Sequence, residues 1–414
     1  MSKRVGILGG GTAGLHLGLL LRHKGVDATI ITDRKAEEYR GSRLQNTVAH
    51  HNITISREAK LGVNHWPVEQ YGYFCHYHNF GGEHPLYFRG DFGAPSRAVD
   101  YRVYLPALMN DFEQRGGRIE YRQVAEEEVP RLCAQFDLLV VCTGKTALSR
   151  LFERDPDSPA IDRPFRYLCA GLYTGVSTTT PRAVTFSVSP GHGELIEIPT
   201  LTFGGMVTAL LFENIAGGDL EELAHLPYAE NPRAFKETVL QKLRVHHRAT
   251  YERVNPPEFD VCDANDLLQG AIVPFVRRGY CEVTDGKFAV ALGDFHVTVD
   301  PVIGQGANLA SHSAWILGEA IASQDRFDRA FCERVDQARR ERILGGFRWT
   351  NFMLQPPSPE FLQLVLAMSE HRALCDEFTD NFNYPERQWR RLESPGSILA
   401  WIKERADTGA AAGR

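Results

Sequence analysis

The chain has 414 residues, 43% of them hydrophobic and 24% charged, with a formal net charge of −6. That balance excludes disordered, collagen-like and coiled-coil chains, and at roughly 100–200 residues per domain it implies two or three domains. The mild acidity leaves no electrostatic footprint for nucleic acid and no polybasic surface for a membrane.

Residues 4–8 (RVGIL) read as a short buried strand, 9–14 (GGGTAG) as a glycine turn, 15–24 as an apolar helix and 28–32 (ATIIT) as a second strand, which together make a β-α-β unit. Lys3 and Arg4 before the apolar run to Leu21 mimic a secretion signal. The glycine cluster inside the run and the missing small-residue cleavage site argue against one. Residues 41–95, rich in aromatics and histidine, show no clear period. A helix is expected over 100–116, stopped by Gly116 and Gly117, then a strand over 118–122 and a very apolar one from Asp137 to Cys142.

Between 160 and 280 the texture becomes β-branched and aromatic alternation, the mark of an antiparallel sheet, with one helix over 232–245. Parallel-strand texture returns at 287–293, followed by a loop and a helix over 305–322. Residues 326–414 read as helical and end in a small-residue tail, TGAAAGR, expected to be disordered. Because the first texture returns after an insert, the first domain is discontinuous: 1–150, including an excursion at 42–97, and 281–325. A sheet domain (151–280) is inserted, and a helical region (326–414) closes the chain. No stretch reaches the ~20 apolar residues that span a bilayer. The eight cysteines are scattered without a C-x-x-C pair, which points to free thiols in a reducing, cytoplasmic compartment.

Gly9, Gly11 and Gly14 form G-x-G-x-x-G directly after a strand and at the start of a helix. The first allows the tight turn, the second lets backbone approach a pyrophosphate, and the third lets helix and strand pack; Thr12 and Ala13 complete the loop. The acid expected at the end of the second strand is displaced, since Thr32 ends it and Asp33 and Arg34 follow. Arg34 and Arg43 are candidates for phosphate contacts, because guanidinium forks match phosphate oxygens.

A second signal follows the 287–293 strand: Gly293-Asp294, then Pro301 and Gly304-Gln305-Gly306-Ala307-Asn308 at the start of a helix. A carboxylate for ribityl hydroxyls and a glycine-rich helix N-terminus are what a flavin ring needs, since the positive end of the dipole stabilises an anionic reduced flavin. Together the two motifs resemble the FAD-binding, Rossmann-like fold of flavoprotein hydroxylases of the p-hydroxybenzoate hydroxylase type. The Cys142-Thr143-Gly144 strand end looks like that fold's middle motif, which lies against adenine. The Asp-Gly motif that NADPH-using members carry is absent from DLLVVCTGKTALSR, so the chain is not expected to reduce its own flavin.

In the excursion, Asn46, Val48, His50, Tyr73, Phe74, His76 and Ser96 are pocket candidates. Neither His50-His51 nor Cys75-His76-Tyr77-His78 has a three-ligand spacing, so no metal is expected. His246-His247 reads as a solvated face. On the stretches GTAGLHLGLLLR, NTVAHHNIT, APSRAVDYR, SPGHGELIEIPTL, VDPVIGQGAN and DEFTDNFNYPERQW, the chain resembles the oxygenase component of two-component styrene monooxygenases, a family that includes indole monooxygenases.

That resemblance implies reduced FAD delivered by a separate NADH-dependent flavin reductase, reaction with O2 to a flavin C4a-hydroperoxide, and epoxidation of a small aromatic alkene. The chain is expected to act as a homodimer. The family's styrene-type members carry Asn, Val, His, Tyr, His and Ser where this chain has Asn46, Val48, His50, Tyr73, His76 and Ser96. In this reading Asn46 bonds near the flavin, Val48 and Tyr73 hold the arene, and His50, His76 and Ser96 position loops or flavin. A neutral alkene needs no general base, so no acid-base pair is sought. The glutamates of GELIEIPT read as structural, and DNFNYPERQW has no evident catalytic part.

Overall fold

The computed structural model describes residues 3–143 and 146–412. Gly144, expected against adenine, lies outside the described residues. Two sheets organise the fold. The first has six strands in the order Tyr280–Thr284, Lys287–Ala291, Leu138–Val141, Arg4–Leu8, Asp27–Thr32, Arg118–Tyr121. All neighbours are parallel except the antiparallel edge strand Tyr280–Thr284. Ile7 pairs with Ile30 on one side and Val140 on the other, and the strand Leu138–Val141 is buried along its whole length, as expected of a sheet covered on both faces.

The helix Thr12–His23 packs on this sheet because ten consecutive residues, Thr12 to Leu21, are buried. The helix Gly306–Ser323 crosses it closely: a Cβ on Gly318 would stand 2.5 Å from Leu20 Cδ2, so only glycine fits.

The second sheet has nine strands. Its main path runs Asp260–Val261, Tyr167–Thr174, Gly205–Asn214, Gly193–Thr202, Ala183–Ser189, Gly72–Phe80, Leu86–Val99, Ala49–His50, and Leu267–Ala271 also pairs with Tyr167–Thr174. The excursion that shows no period in sequence therefore supplies three of these strands. Gly72–Phe80 joins Ala183–Ser189 in parallel, so this otherwise largely antiparallel sheet is stitched together from two distant stretches. Buried histidines and charged residues interrupt the apolar alternation there, which hides the strand period.

From Arg329 onward the described residues form only helices, but the end of this region differs from the sequence reading. The helix Pro395–Ala412 continues into the small-residue tail as far as Ala412, since alanines favour helix once Ile398 and Trp401 anchor the first turns in the core. His246 and His247 are likewise not a solvated face. His247 is buried and its Nδ1 meets the Ser187 hydroxyl at 2.8 Å, while His246 lies between Ser189 (2.9 Å) and Asp219 (2.7 Å). The helix Pro232–His246 turns this end back onto the sheet, which a charged stretch does not reveal.

Candidate flavin cleft and substrate pocket

The glycine motifs converge on one cleft. Gly9 has φ +115°, closed to most side chains, and a Cβ on Gly14 would lie 2.0 Å from the Gly9 carbonyl oxygen, so turn and helix interlock. Nothing stands within 4 Å of a Cβ on Gly11, which faces open space. Gly293, at φ +63°, abuts Ala13, with 2.8 Å between its ideal Cβ and the Ala13 Cβ, which joins the first motif to the second. A Cβ on Gly306 would sit 3.8 Å from Asp294 Oδ1.

Asp294 is exposed to solvent, yet the surrounding protein raises its carboxyl above the usual range, as befits a side chain at the bottom of a recess. Gly304, at φ +61°, turns the chain into the helix Gly306–Ser323. An open glycine turn, a recessed carboxylate and a second helix N-terminus fit FAD. Ala307 is buried in this first helical turn.

Asn308 spends its whole amide on protein. Nδ2 donates to the carbonyls of Ala49 and Gly304, both at 2.9 Å, and Oδ1 accepts from His51 N (3.0 Å) and the Thr54 hydroxyl (2.8 Å). It fixes the strap at 49–54 against the cleft. Arg43 donates through Nε to the Leu267 carbonyl at 2.7 Å, and the Arg34 guanidinium stacks 5.1 Å from the Tyr39 ring centroid. Asp33 is exposed beyond the second strand.

A buried polar chain leads away from the first turn. The Thr12 hydroxyl donates to the Tyr101 hydroxyl (2.9 Å), which meets His50 Nε2 (3.0 Å), and His50 Nδ1 meets Glu58 Oε1 (2.7 Å). The Tyr104 hydroxyl donates to the same carboxylate at 2.9 Å, and Arg97 pairs with Glu58 Oε2. Burial alone would raise the Glu58 carboxyl, but the His50 hydrogen bond and the Arg97 charge reverse this and hold it at about 2. Between pH 4 and 8 the network therefore carries a fixed carboxylate.

The inner pocket lies between the second sheet and the turn Pro301–Gly304. Tyr73, His76, Val184 and Phe186 come from neighbouring strands, with Ile196 and Ile198 beside them; Thr47, Ala49 and His51 close one side and Phe382 another. The histidines are held uncharged. Burial pulls His51 down to about 3 and His76 well below its ordinary value, and His51 Nε2 and His76 Nδ1 have no partner among the described residues.

The expected residues divide between the pocket and the core behind it, and Tyr73 and His76, three apart on one strand, share a face because the pairing slips between Tyr73 and Cys75. Tyr73 and His76 line the pocket, and Ser96 supports it through His51 Nδ1 at 3.3 Å. Val48 packs on the first sheet's core and His50 enters the Glu58 network, so both face away. Asn46 is half-buried with an orphan Oδ1, and Phe74 is 42% exposed. Sequence reading missed His51, Phe186 and Phe382.

It also missed a carboxyl pair under the turn. Glu213 and Asp300 are both fully buried. Burial, and then the charge of Asp300 beside it, raise Glu213 well above the usual range, while burial pushes Asp300 up to about 6 against its hydrogen bonds with Val302 N and Glu213. Asp300 Oδ1 caps the turn by accepting from Val302 N at 3.0 Å. Glu194 pairs with Arg166 (2.8 Å) and Glu197 with Arg253 (2.5 Å), so the strand glutamates are structural. Among the described residues, no three His, Cys, Asp or Glu side chains converge as metal ligands, no helix is long and apolar enough to cross a membrane, and all eight cysteines are free.

This fold and cleft define an FAD-dependent oxygenase of the p-hydroxybenzoate hydroxylase type. The myxobacterial chondrochloren halogenase CndH, an FAD-dependent halogenase, superposes with a TM-score of 0.63 at 14% identity, covering 94% of this chain and 97% of that one, a likeness of fold alone. Residues 144–253 match the family described as "Styrene monooxygenase A putative substrate binding domain". Over 99% of this chain and the full length of each relative, the chain is 54% identical to styrene monooxygenase StyA of Pseudomonas fluorescens and 53% identical to styrene monooxygenase StyA of a Pseudomonas species. The chain belongs to the styrene monooxygenase family, with FAD as cofactor and O2 as co-substrate.

Proposed function

We propose that this chain is the oxygenase of a two-component system, epoxidising styrene-like vinyl arenes with reduced FAD made by a separate NADH-dependent flavin reductase, in the cytoplasm and as a homodimer. The observation that carries the reading is the inner pocket: aromatic and aliphatic walls, histidines held uncharged, and a glycine turn with a helix N-terminus at one end. Bound reduced FAD supplies the activation of O2 from which one oxygen atom passes to the alkene.

The chain's own residues do the rest. The backbone of Gly11 to Ala13 and the N-terminus of the helix Thr12–His23 would hold the phosphates, Asp294 the ribityl hydroxyls, and Gly304 to Ala307 the ring edge. Ile196, Ile198, Tyr73 and Phe186 would align the arene and exclude water, which preserves the oxidant for the alkene. Asn46 would direct its orphan Oδ1 toward the flavin side.

The test supplies reduced FAD and O2 to the purified chain with styrene or indole. Styrene oxide without indole-derived pigment, and no NADH consumption by the chain alone, is the expected result. Pigment as the main product would move the enzyme to the indole branch; steady NADH oxidation without reductase would overturn the two-component reading.

A further inference from the structure

The inner pocket leaves about 20 Å³ of free space, room for about one water. A vinyl arene enters only if a side chain moves. A second cavity, of about 360 Å³, opens on the surface against Phe92, Gly93 and Asn381, within a rim of aspartate, glutamate and arginine side chains. One thin wall separates the two. Phe92 borders the outer cavity and stands edge-on to His76 of the inner one, with centroids 4.6 Å apart and planes at 83°. Consecutive residues Asn381 and Phe382 face the outer and inner spaces respectively.

We propose that the outer cavity is the vestibule through which the arene arrives and the epoxide leaves, and that the Phe92 ring is the gate that sets which arenes pass. The wall's other aromatic is fixed: Phe382, 2% exposed, is wedged against Trp349 with centroids 4.8 Å apart. Phe92 is different. It lies where the strand Leu86–Val99 bulges, since Tyr73 pairs with Ser96 but Cys75 with Asp91, so residues 92–95 have no partner in the strand Gly72–Phe80.

The backbone on either side of Phe92 is pinned. Asp91 N donates to Asp376 at 2.7 Å and Gly93 N to Asp380 at 3.1 Å. The half-buried ring between them meets the Tyr73 and His76 rings edge-on and the His51 ring at a tilt, and its other side borders the outer cavity, into which it can rotate while the chain stays in place. The gate is thus a side chain, and its volume, rather than a loop closure, discriminates between substrates.

This inference rests on the epoxidase reading. The experiment compares wild type with Phe92→Ala, Phe92→Leu and Phe92→Trp, assayed with reduced FAD on styrene and 2-vinylnaphthalene, and titrates 2-vinylnaphthalene fluorescence against the flavin-free chains. Phe92→Ala should raise the kcat/KM ratio of 2-vinylnaphthalene to styrene by about tenfold and tighten naphthalene binding, with Phe92→Leu in between. Phe92→Trp should lower styrene kcat/KM about tenfold, with reduced-FAD affinity unchanged. Styrene oxide from wild type combined with wild-type selectivity in every folded variant overturns the gate alone. Absence of styrene oxide from wild type overturns the reading beneath it. If the alanine variant does not fold, the leucine and tryptophan variants decide.

Discussion

The phenyl ring of Phe382 stands edge-on to the imidazole of His76, with centroids 4.5 Å apart and planes at 82°. This contact joins the helical C-terminal region to the second sheet across the pocket, and it gives DNFNYPERQW its role: the motif delivers one pocket wall. Asn381 and Gln388 brace it through a 2.7 Å hydrogen bond, and Asn383 Oδ1 accepts from Ile53 N at 3.2 Å. Phe382→Ala should therefore cost about 3–5 kcal/mol of stability, the range for removing a buried phenyl group. It should also release more H2O2 per styrene oxide, measured together by denaturant unfolding and product balance. Wild-type stability and coupling would remove Phe382 from the wall.

Asn46 has a buried Oδ1 with no partner among the described residues, which in a native fold marks a waiting ligand or water. Asn46→Ala should lower the styrene oxide formed per reduced FAD and raise H2O2 to match, while the thermal midpoint changes little, because no protein hydrogen bond to Oδ1 is lost. Unchanged coupling would place Asn46 outside the reacting region.

Acid should unfold this chain early. Burial holds His16 and His78 at about 4 and His51 and His247 at about 3, whereas in the unfolded chain each titrates near 6.5. As pH falls below about 6.5 the unfolded state binds these protons and the folded state does not, so stability present above that pH is lost on acidification. Each histidine contributes up to about 1.4 kcal/mol per pH unit. Asp300, pushed up to about 6, and Glu213, raised well above its usual range, work in the opposite sense, while His76, pulled well below its ordinary value, adds to the loss. Urea unfolding at pH 7.5 and 5.5 should show a loss of several kcal/mol. Equal stability at the two pH values would mean these histidines are hydrated in solution.

The cofactor cleft was legible in the sequence because its requirements are local. Gly9 at φ +115° and Gly304 at φ +61° are backbone necessities, written as glycine within one turn of a strand end. The pocket was legible only in part, because its walls come from six separated stretches. That His51, rather than its neighbour His50, faces the pocket depends on a two-residue strand, Ala49–His50, too short to show a period. Likewise Thr47 and Ala49 face the pocket while Val48 packs on the other core. Phe382 reaches His76 only through tertiary packing, and no local pattern brings Glu213 to Asp300.

The network behind the cleft gives the sharpest stability test. Glu58 is fully buried and is the ion-pair partner of Arg97, itself 1% exposed. Arg97 also donates to Asn64 Oδ1 and to the Trp66 carbonyl, and its charge sits 5.6 Å from the Trp66 ring centroid. Glu58→Gln keeps the shape and can still accept from His50, but it leaves the Arg97 charge buried without a counter-ion. Breaking such a pair costs about 3–5 kcal/mol, whereas replacing both partners is often nearly neutral. Glu58→Gln should lower the urea midpoint accordingly, and adding Arg97→Met should recover much of the loss. Because the chain Glu58, His50, Tyr101, Thr12 ends in the glycine turn, the single variant should also weaken reduced-FAD binding severalfold, read by equilibrium titration under anaerobic conditions. A Glu58→Gln chain within about 1 kcal/mol of wild type and with unaltered flavin affinity would show that Arg97 finds its counter-charge elsewhere.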